Sequence, residues 1–192
     1  LVVILNNSES KVLITSEAKR DVAADALQNC PNIELCLVVD GKGDGGRFHN
    51  LDQATAPHSI RPVIDESLGR AMLYSSGTTG RPKGVLRPLW EKPPSWQDPM
   101  MDFIKQLWQC QAGMIYLSPA PLYHIAPLAG VNLTIRAGGT AVIMERFDAQ
   151  WFLELVQTYK VTHSQLVPTM FSRMLKLPEA VRRRYDLSSL EM

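Results

Sequence analysis

The stretch that decides the fold is K-V-L-I-T-S-E-A-K-R-D-V-A-A-D-A-L-Q-N-C-P-N-I-E-L-C-L-V-V, residues 11–39. Its first part, Lys11 to Thr15, is short, apolar and β-branched, the composition of a strand. Ala18 to Leu27 follows with Val22, Ala23, Ala26 and Leu27 at three-to-four spacing and charges between them, which predicts a helix. Cys30-Pro31-Asn32 ends that helix. Glu34 to Val39 is nearly all apolar, the habit of a strand covered on both faces. Strand, helix and strand in such a short span make a βαβ unit, and such crossovers build parallel sheets.

Working outward, the same alternation continues. Asp40 to Gly46 carries four glycines and two aspartates. It reads as a surface connection rather than an anion nest, because no strand-to-helix context follows it. Residues 47–67 are polar, contain Pro57 and Pro62, and read as an extended surface segment. Arg70 to Tyr74 and Val85 to Leu89 are short strand candidates. Pro88, Pro93, Pro94 and Pro99 exclude a long regular element between them. Met101 to Cys110 returns to helical spacing. Met114 to Leu117 and Ala141 to Met144 read as strands, with an apolar helix after Pro127 between them. Asp148 is a candidate N-cap for a helix over Ala149 to Tyr159. Val161 to Leu166 reads as a strand, and Val167-Pro168-Thr169 opens a helix with Met170, Phe171, Met174 and Leu175 on one stripe. The fold class is therefore α/β, layered, with mainly parallel sheets flanked by helices. Two parts are expected: residues 1–67, a partial α/β subdomain and loop, and residues 68–192. The loop at 40–67 and the prolines at 88–99 are both candidate crossings.

Composition narrows the function. The chain has 192 residues, 45% apolar and 20% charged, with 20 basic and 19 acidic side chains. No basic surplus points to nucleic acid. No apolar run is long enough for a membrane span. Cys30, Cys36 and Cys110 have no zinc or disulfide spacing and read as buried free thiols of a reducing, cytoplasmic protein. The opening apolar stretch lacks the features of a secretory leader. The first residue is not Met, and both ends look cut, so a piece of a larger protein is expected.

Residues 75–84, S-S-G-T-T-G-R-P-K-G, hold four hydroxyl side chains, three glycines and one lysine. Gly77 and Gly80 permit tight turns and a close approach to a ligand. Ser75, Ser76, Thr78 and Thr79 offer hydroxyl donors, and backbone N–H groups in such a turn converge on an anion. Lys83 adds a cation suited to a polyphosphate. The string is not a Walker A loop, since Arg81 and Pro82 separate Gly80 from Lys83.

The ordered string Y-S-S-G-T-T-G-R-P-K-G, residues 74–84, resembles the signature of the adenylate-forming superfamily. That family includes acyl-CoA synthetases, luciferases and peptide-synthetase adenylation domains. S-P-A-P-L-Y-H, residues 118–124, resembles a second family segment, and the likeness spans essentially the whole chain. It implies a place in the large N-terminal region of such an enzyme, most similar to an acyl- or fatty-acid-CoA ligase. By that resemblance Ser75, Ser76, Gly77, Thr78, Thr79 and Gly80 wrap the ATP phosphates. Ser75 lies close to Mg2+, Lys83 approaches the phosphates, and His124 sits beside the acyl carboxylate and α-phosphate. The implied substrates are a fatty or other hydrophobic carboxylic acid, ATP and coenzyme A, and a homodimer is among the assemblies it admits. An acyl-AMP ligase or adenylation domain loading a carrier protein stands as the alternative, as does a non-catalytic nucleotide- or acyl-binding module. The family's aromatic-Gly-x-Thr-Glu segment, ribose-binding aspartate and C-terminal lysine do not occur in these residues, so the isolated chain is expected to be inactive. The apolar stretch 125–135 is either an acyl-pocket wall or core packing. The segment Trp90 to Met100 is either a lid or surface packing.

Overall fold

The structure is a computed structural model that describes residues 1–75 and 80–192. It divides into two compact units, Leu1–Trp96 and Gln97–Met192. The division falls within the proline-rich stretch.

The first unit begins with helix α1 (Val2–Asn7), strand β1 (Val12–Ser16), helix α2 (Arg20–Leu27) and strand β2 (Leu35–Val39). The predicted βαβ unit is present, and β1 pairs with β2 in parallel from Val12↔Leu35 to Ser16↔Val39. Strand β3 (Phe48–Asn50) adds to β2 in parallel, and helix α3 (Leu51–Thr55) follows it. These two elements correct the reading of 47–67 as wholly extended. Asn50 starts α3 by accepting the Gln53 N–H at 2.8 Å, which is N-cap chemistry. The core beneath the sheet is built from Leu5, Ala23, Ala26, Leu27, Cys30, Ile33, Cys36, Val38 and Phe48, all buried. Strand β4 (Leu73–Ser75) and strand β5 (Lys83–Val85) close the unit as an antiparallel pair. Leu86 to Leu89, expected to extend a strand, carries none, because β5 ends where its partner β4 begins.

The second unit opens with helix α4 (Pro99–Leu107), where Asp98 accepts the Met100 N–H at 3.0 Å and Pro99 occupies the first turn. Strand β6 (Ile115–Ser118) is central. Strand β7 (Thr140–Ile143) pairs with it on one side and strand β8 (His163–Ser164) on the other, both in parallel. Between them lie helix α5 (Ile125–Arg136), which starts before Pro127 rather than after it, and helix α6 (Ala149–Tyr159). Asp148 caps α6 through the Trp151 N–H at 2.8 Å, as its sequence predicts. Helix α7 (Pro168–Leu175) and the short helix α8 (Glu179–Arg182) complete the unit. Of the stripe predicted on α7 only Met170 is buried; Phe171 and Leu175 are exposed.

Strand geometry sends successive side chains to opposite faces. Along β6, Leu117 joins a core with Met144, Phe152, Leu153, Leu155, Val156 and Val161. Tyr116 turns the other way, to a cluster with Cys110, Met114 and Leu133. One sheet thus has an apolar face toward α6 and a second face, carrying Tyr116, toward α5. All three cysteines are free and buried, as expected. Among the described residues no helix is long and apolar enough to cross a membrane.

Candidate functional site

The two described ends of the string at 74–84 pair as antiparallel strands. Its register pairs Leu73↔Val85, Tyr74↔Gly84 and Ser75↔Lys83. A directly opposed cross-strand pair holds its Cβ atoms about 5 Å apart. Ser75 and the string's only lysine, Lys83, therefore face each other across the pair. Both residues are exposed, and among the described residues Lys83 makes no ion pair. Ser76, Gly77, Thr78 and Thr79, expected to wrap phosphate, lie outside the described residues. Gly80 carries φ +77°, with open space where a side chain would sit. Conformation rather than crowding is what requires glycine there. Gly84 is the opposite case. A Cβ on it would stand 2.5 Å from the Met72 methyl carbon and 3.0 Å from the Tyr74 ring.

Tyr74 anchors the pair. Its hydroxyl donates to Asn7 Oδ1 of α1 at 2.8 Å. Beyond the pair, the Arg70 guanidinium lies 3.8 Å from the Trp90 ring centroid and donates to the Pro88 carbonyl at 3.0 Å. Trp90 and Trp96 pack with centroids 5.2 Å apart. The tryptophans of the 90–96 stretch thus form a cluster with Arg70.

His124 lies in the second unit. It is exposed, occupies the N-cap of α5 in extended conformation, and makes no side-chain cap hydrogen bond. Its ring packs against Tyr123 with centroids 4.6 Å apart. From there α5 runs past Pro127, Gly130, Leu133 and Thr134, all buried; Ile125 and Ile135 are exposed.

A cavity of about 140 Å³ lies beside this helix, lined by Trp108, Tyr116, Gly130, Thr134, His163 and Gln165 among others. His163 is tied down at both ring nitrogens: Nε2 donates to the Trp108 carbonyl at 3.0 Å and Nδ1 meets Thr162 Oγ1 at 2.7 Å. It reads as structural, as its sequence context implies. Among the described residues three polar side-chain atoms are buried without a hydrogen-bond partner: Tyr116 Oη and Gln165 Oε1 of this lining, and Ser118 Oγ of β6. Burial pushes the Tyr116 phenol up, while the nearby Ser118 hydroxyl and Gln165 N–H pull it the other way. Sequence reasoning missed these residues. The available signal was the alternation along 114–118, which sends Tyr116 to the face opposite Leu117.

The sequence profile of a family described as AMP-binding enzyme matches residues 1–192. The chain belongs to this family. Among curated AMP-binding relatives, "4-coumarate--CoA ligase 4" of Arabidopsis thaliana is 31% identical, aligned over 96% of this chain and 33% of its own length. "4-coumarate--CoA ligase 1" of Petroselinum crispum is 34% identical over 97% of this chain and 34% of its own. The chain thus spans about a third of the length of these relatives. Among solved structures, a red-emitting luciferase from Phrixothrix hirtus superposes with a TM-score of 0.74 at 20% identity, covering 98% of this chain and 37% of the luciferase. That likeness shows the shared fold.

No cluster of three or more His, Cys, Asp or Glu side chains that could hold a metal occurs among the described residues. Ser75 offers a single neutral oxygen at the end of β4. That fits Mg2+, which is ordinarily held by nucleotide phosphates and water with only one or two protein ligands.

Proposed function

We propose that this chain supplies the phosphate loop and acyl-positioning elements of an ATP-dependent acid–thiol ligase. In this reading a hydrophobic carboxylic acid is activated as acyl-AMP and transferred to coenzyme A. The observation that carries the proposal is the strand register, which sets Ser75 opposite Lys83 at the ends of the hydroxyl- and glycine-rich string. In this reading Ser75 and Lys83 offer a neutral oxygen and a cation to one polyphosphate. Membership of the AMP-binding family supports the nucleotide, and relatives bearing the name CoA ligase support the thiol.

In the first step a carboxylate oxygen attacks the α-phosphorus, the bond to the bridging oxygen breaks, and pyrophosphate leaves. Ser75, Lys83 and the loop between them hold the leaving group and offset its growing charge, which is where fixed donors contribute most. Ser75 would supply a protein oxygen to Mg2+, which would offset phosphate charge when bound. His124, exposed at the start of α5, orients the acid carboxylate. In the second step the thiol sulfur attacks the acyl carbonyl carbon, the bond to AMP breaks, and the thiol proton is lost to solvent.

The test uses the full natural polypeptide. Acid-dependent exchange of labelled pyrophosphate into ATP, followed by thioester formation when CoA is added, is the expected result. Exchange without a CoA thioester would reassign the protein to carrier loading. No exchange with any acid would leave only the binding-module reading.

A further inference from the structure

The antiparallel pair of β4 and β5 is a sheet of its own, not hydrogen-bonded to the sheet of β1, β2 and β3. Two strands alone are marginally stable in water, so their placement depends on what ties them to the unit. Among the described residues, the Tyr74 hydroxyl makes the only hydrogen bonds between residues 68–92 and the rest of the first unit. It donates to Asn7 Oδ1 at 2.8 Å, with the Ile4 carbonyl 3.4 Å away as a second acceptor. Helix α1, which carries both acceptors, is itself fixed. Its Leu5 is buried in the core beneath the sheet, and Asn6 Nδ2 donates to the Asn29 carbonyl at 2.8 Å. A continuous path thus runs from the core through α1 and Asn7 to Tyr74.

Strand alternation decides what this path controls. Tyr74 faces Gly84 across the pair, and Ser75 faces Lys83. Successive side chains of a strand leave on opposite sides. Tyr74 therefore stands behind the surface that carries Ser75 and Lys83. Its ring crosses Gly84, where a Cβ would lie 3.0 Å from it, and an aromatic ring packed over a glycine in this way pins strand register. One side chain holds the pairing of the two strands and, through its hydroxyl, their place on the unit. It does so without occupying the side on which an anion would sit.

We infer that Tyr74 is a positioning residue for the phosphate site, fixing the Ser75–Lys83 pair through its bond to Asn7 before nucleotide binds. The inference rests on the reading of the chain as an ATP-using enzyme and adds a residue outside the hydroxyl and lysine set of that site. Tyr74 acts through Ser75 and Lys83 rather than on phosphate. Without its bond the pair still reaches the same arrangement, but only a fraction of molecules hold it at any moment. Apparent affinity for ATP falls by that fraction. The loss is shared by the ground state and the transition state, so KM rises while kcat stays.

The experiment uses the full natural polypeptide and three variants: Tyr74→Phe, Asn7→Ala and the two together. Pyrophosphate exchange is measured with octanoic or benzoic acid, whichever supports it. Tyr74→Phe is expected to raise KM for ATP by roughly 3- to 10-fold, the worth of one partly exposed hydrogen bond, with kcat unchanged. Asn7→Ala should do the same, and the double variant should be no worse than either single one, because all three remove one bond. Thioester formation from supplied acyl-AMP should be unaffected. A residue that merely supported the fold would lower the melting temperature and both half-reactions together. That outcome, an unchanged KM in Tyr74→Phe, or losses that add in the double variant would overturn the inference. If neither acid supports exchange, the enzymatic reading fails on its own, and calorimetric titration with ATP and Mg2+ still judges the anchor. Affinity should drop by the same factor in all three variants. No ATP binding by the unmodified protein, or equal affinity in Tyr74→Phe, would overturn the inference.

Discussion

Lys83 carries its charge at an exposed strand end, opposite a serine and beside a loop rich in donors. A preorganised donor at a developing anion is worth about 2.7–4 kcal/mol. An exposed ammonium keeps part of its hydration, so Lys83→Ala should cost less, about 2 kcal/mol, or roughly 30-fold, on pyrophosphate formation. Thioester formation from supplied acyl-AMP should be nearly spared, because no pyrophosphate takes part in it. Assaying the two half-reactions separately checks this; equal losses would mean Lys83 supports the whole site or the fold. A second residue-scale prediction concerns Asp186. The Ser188 side chain and N–H and the Lys160 ammonium hold its carboxyl down to about 2. A depressed folded pKa stabilises the folded state when the carboxylate is ionised. That contribution is present above the ordinary value of about 3.9 and is lost as pH falls toward 2. The melting-temperature gap between the unmodified protein and Asp186→Asn should therefore be open at pH 6 and narrow at pH 2.5.

Helix α6 shows what local sequence specifies. Asp148 supplies the cap and Phe152, Leu155 and Val156 the buried stripe, so its limits are readable without the fold. Asp148→Ala should cost about 1 kcal/mol, visible as a lower urea midpoint with an unchanged slope. The elements that were not legible depend on partners. Phe48–Asn50 has no alternating pattern and is a strand because β2 pairs with it. Val85–Leu89 looks like a strand, yet only the part opposite β4 is one. Phe171 and Leu175 satisfy helical spacing, yet α7 buries neither. The site divides along the same line. The phosphate string announces itself as a run of consecutive residues. The cavity needs Tyr116, Gly130 and Gln165 together, and those meet only after β6, α5 and β8 have packed.

At the scale of the molecule, the two units have cores that share no residue. Val38 is wholly buried in one and Val156 in the other. Val38→Ala and Val156→Ala should each destabilise by about 1.5–3 kcal/mol. Without shared partners their effects should add within about 0.5 kcal/mol in the double variant. Urea unfolding followed by circular dichroism measures this, and a coupling well beyond that range would mean the cores are not independent.

The buried thiols make the same independence countable by mass. Cys30 and Cys36 sit in the first unit and Cys110 in the second, all shielded in the native state. An alkylating reagent reaches them only when the surrounding structure opens. Opening of the first unit adds two reagent masses, and opening of the second adds one. A time course under mild denaturant, read by intact mass, therefore reports the order in which the units open, without any introduced label.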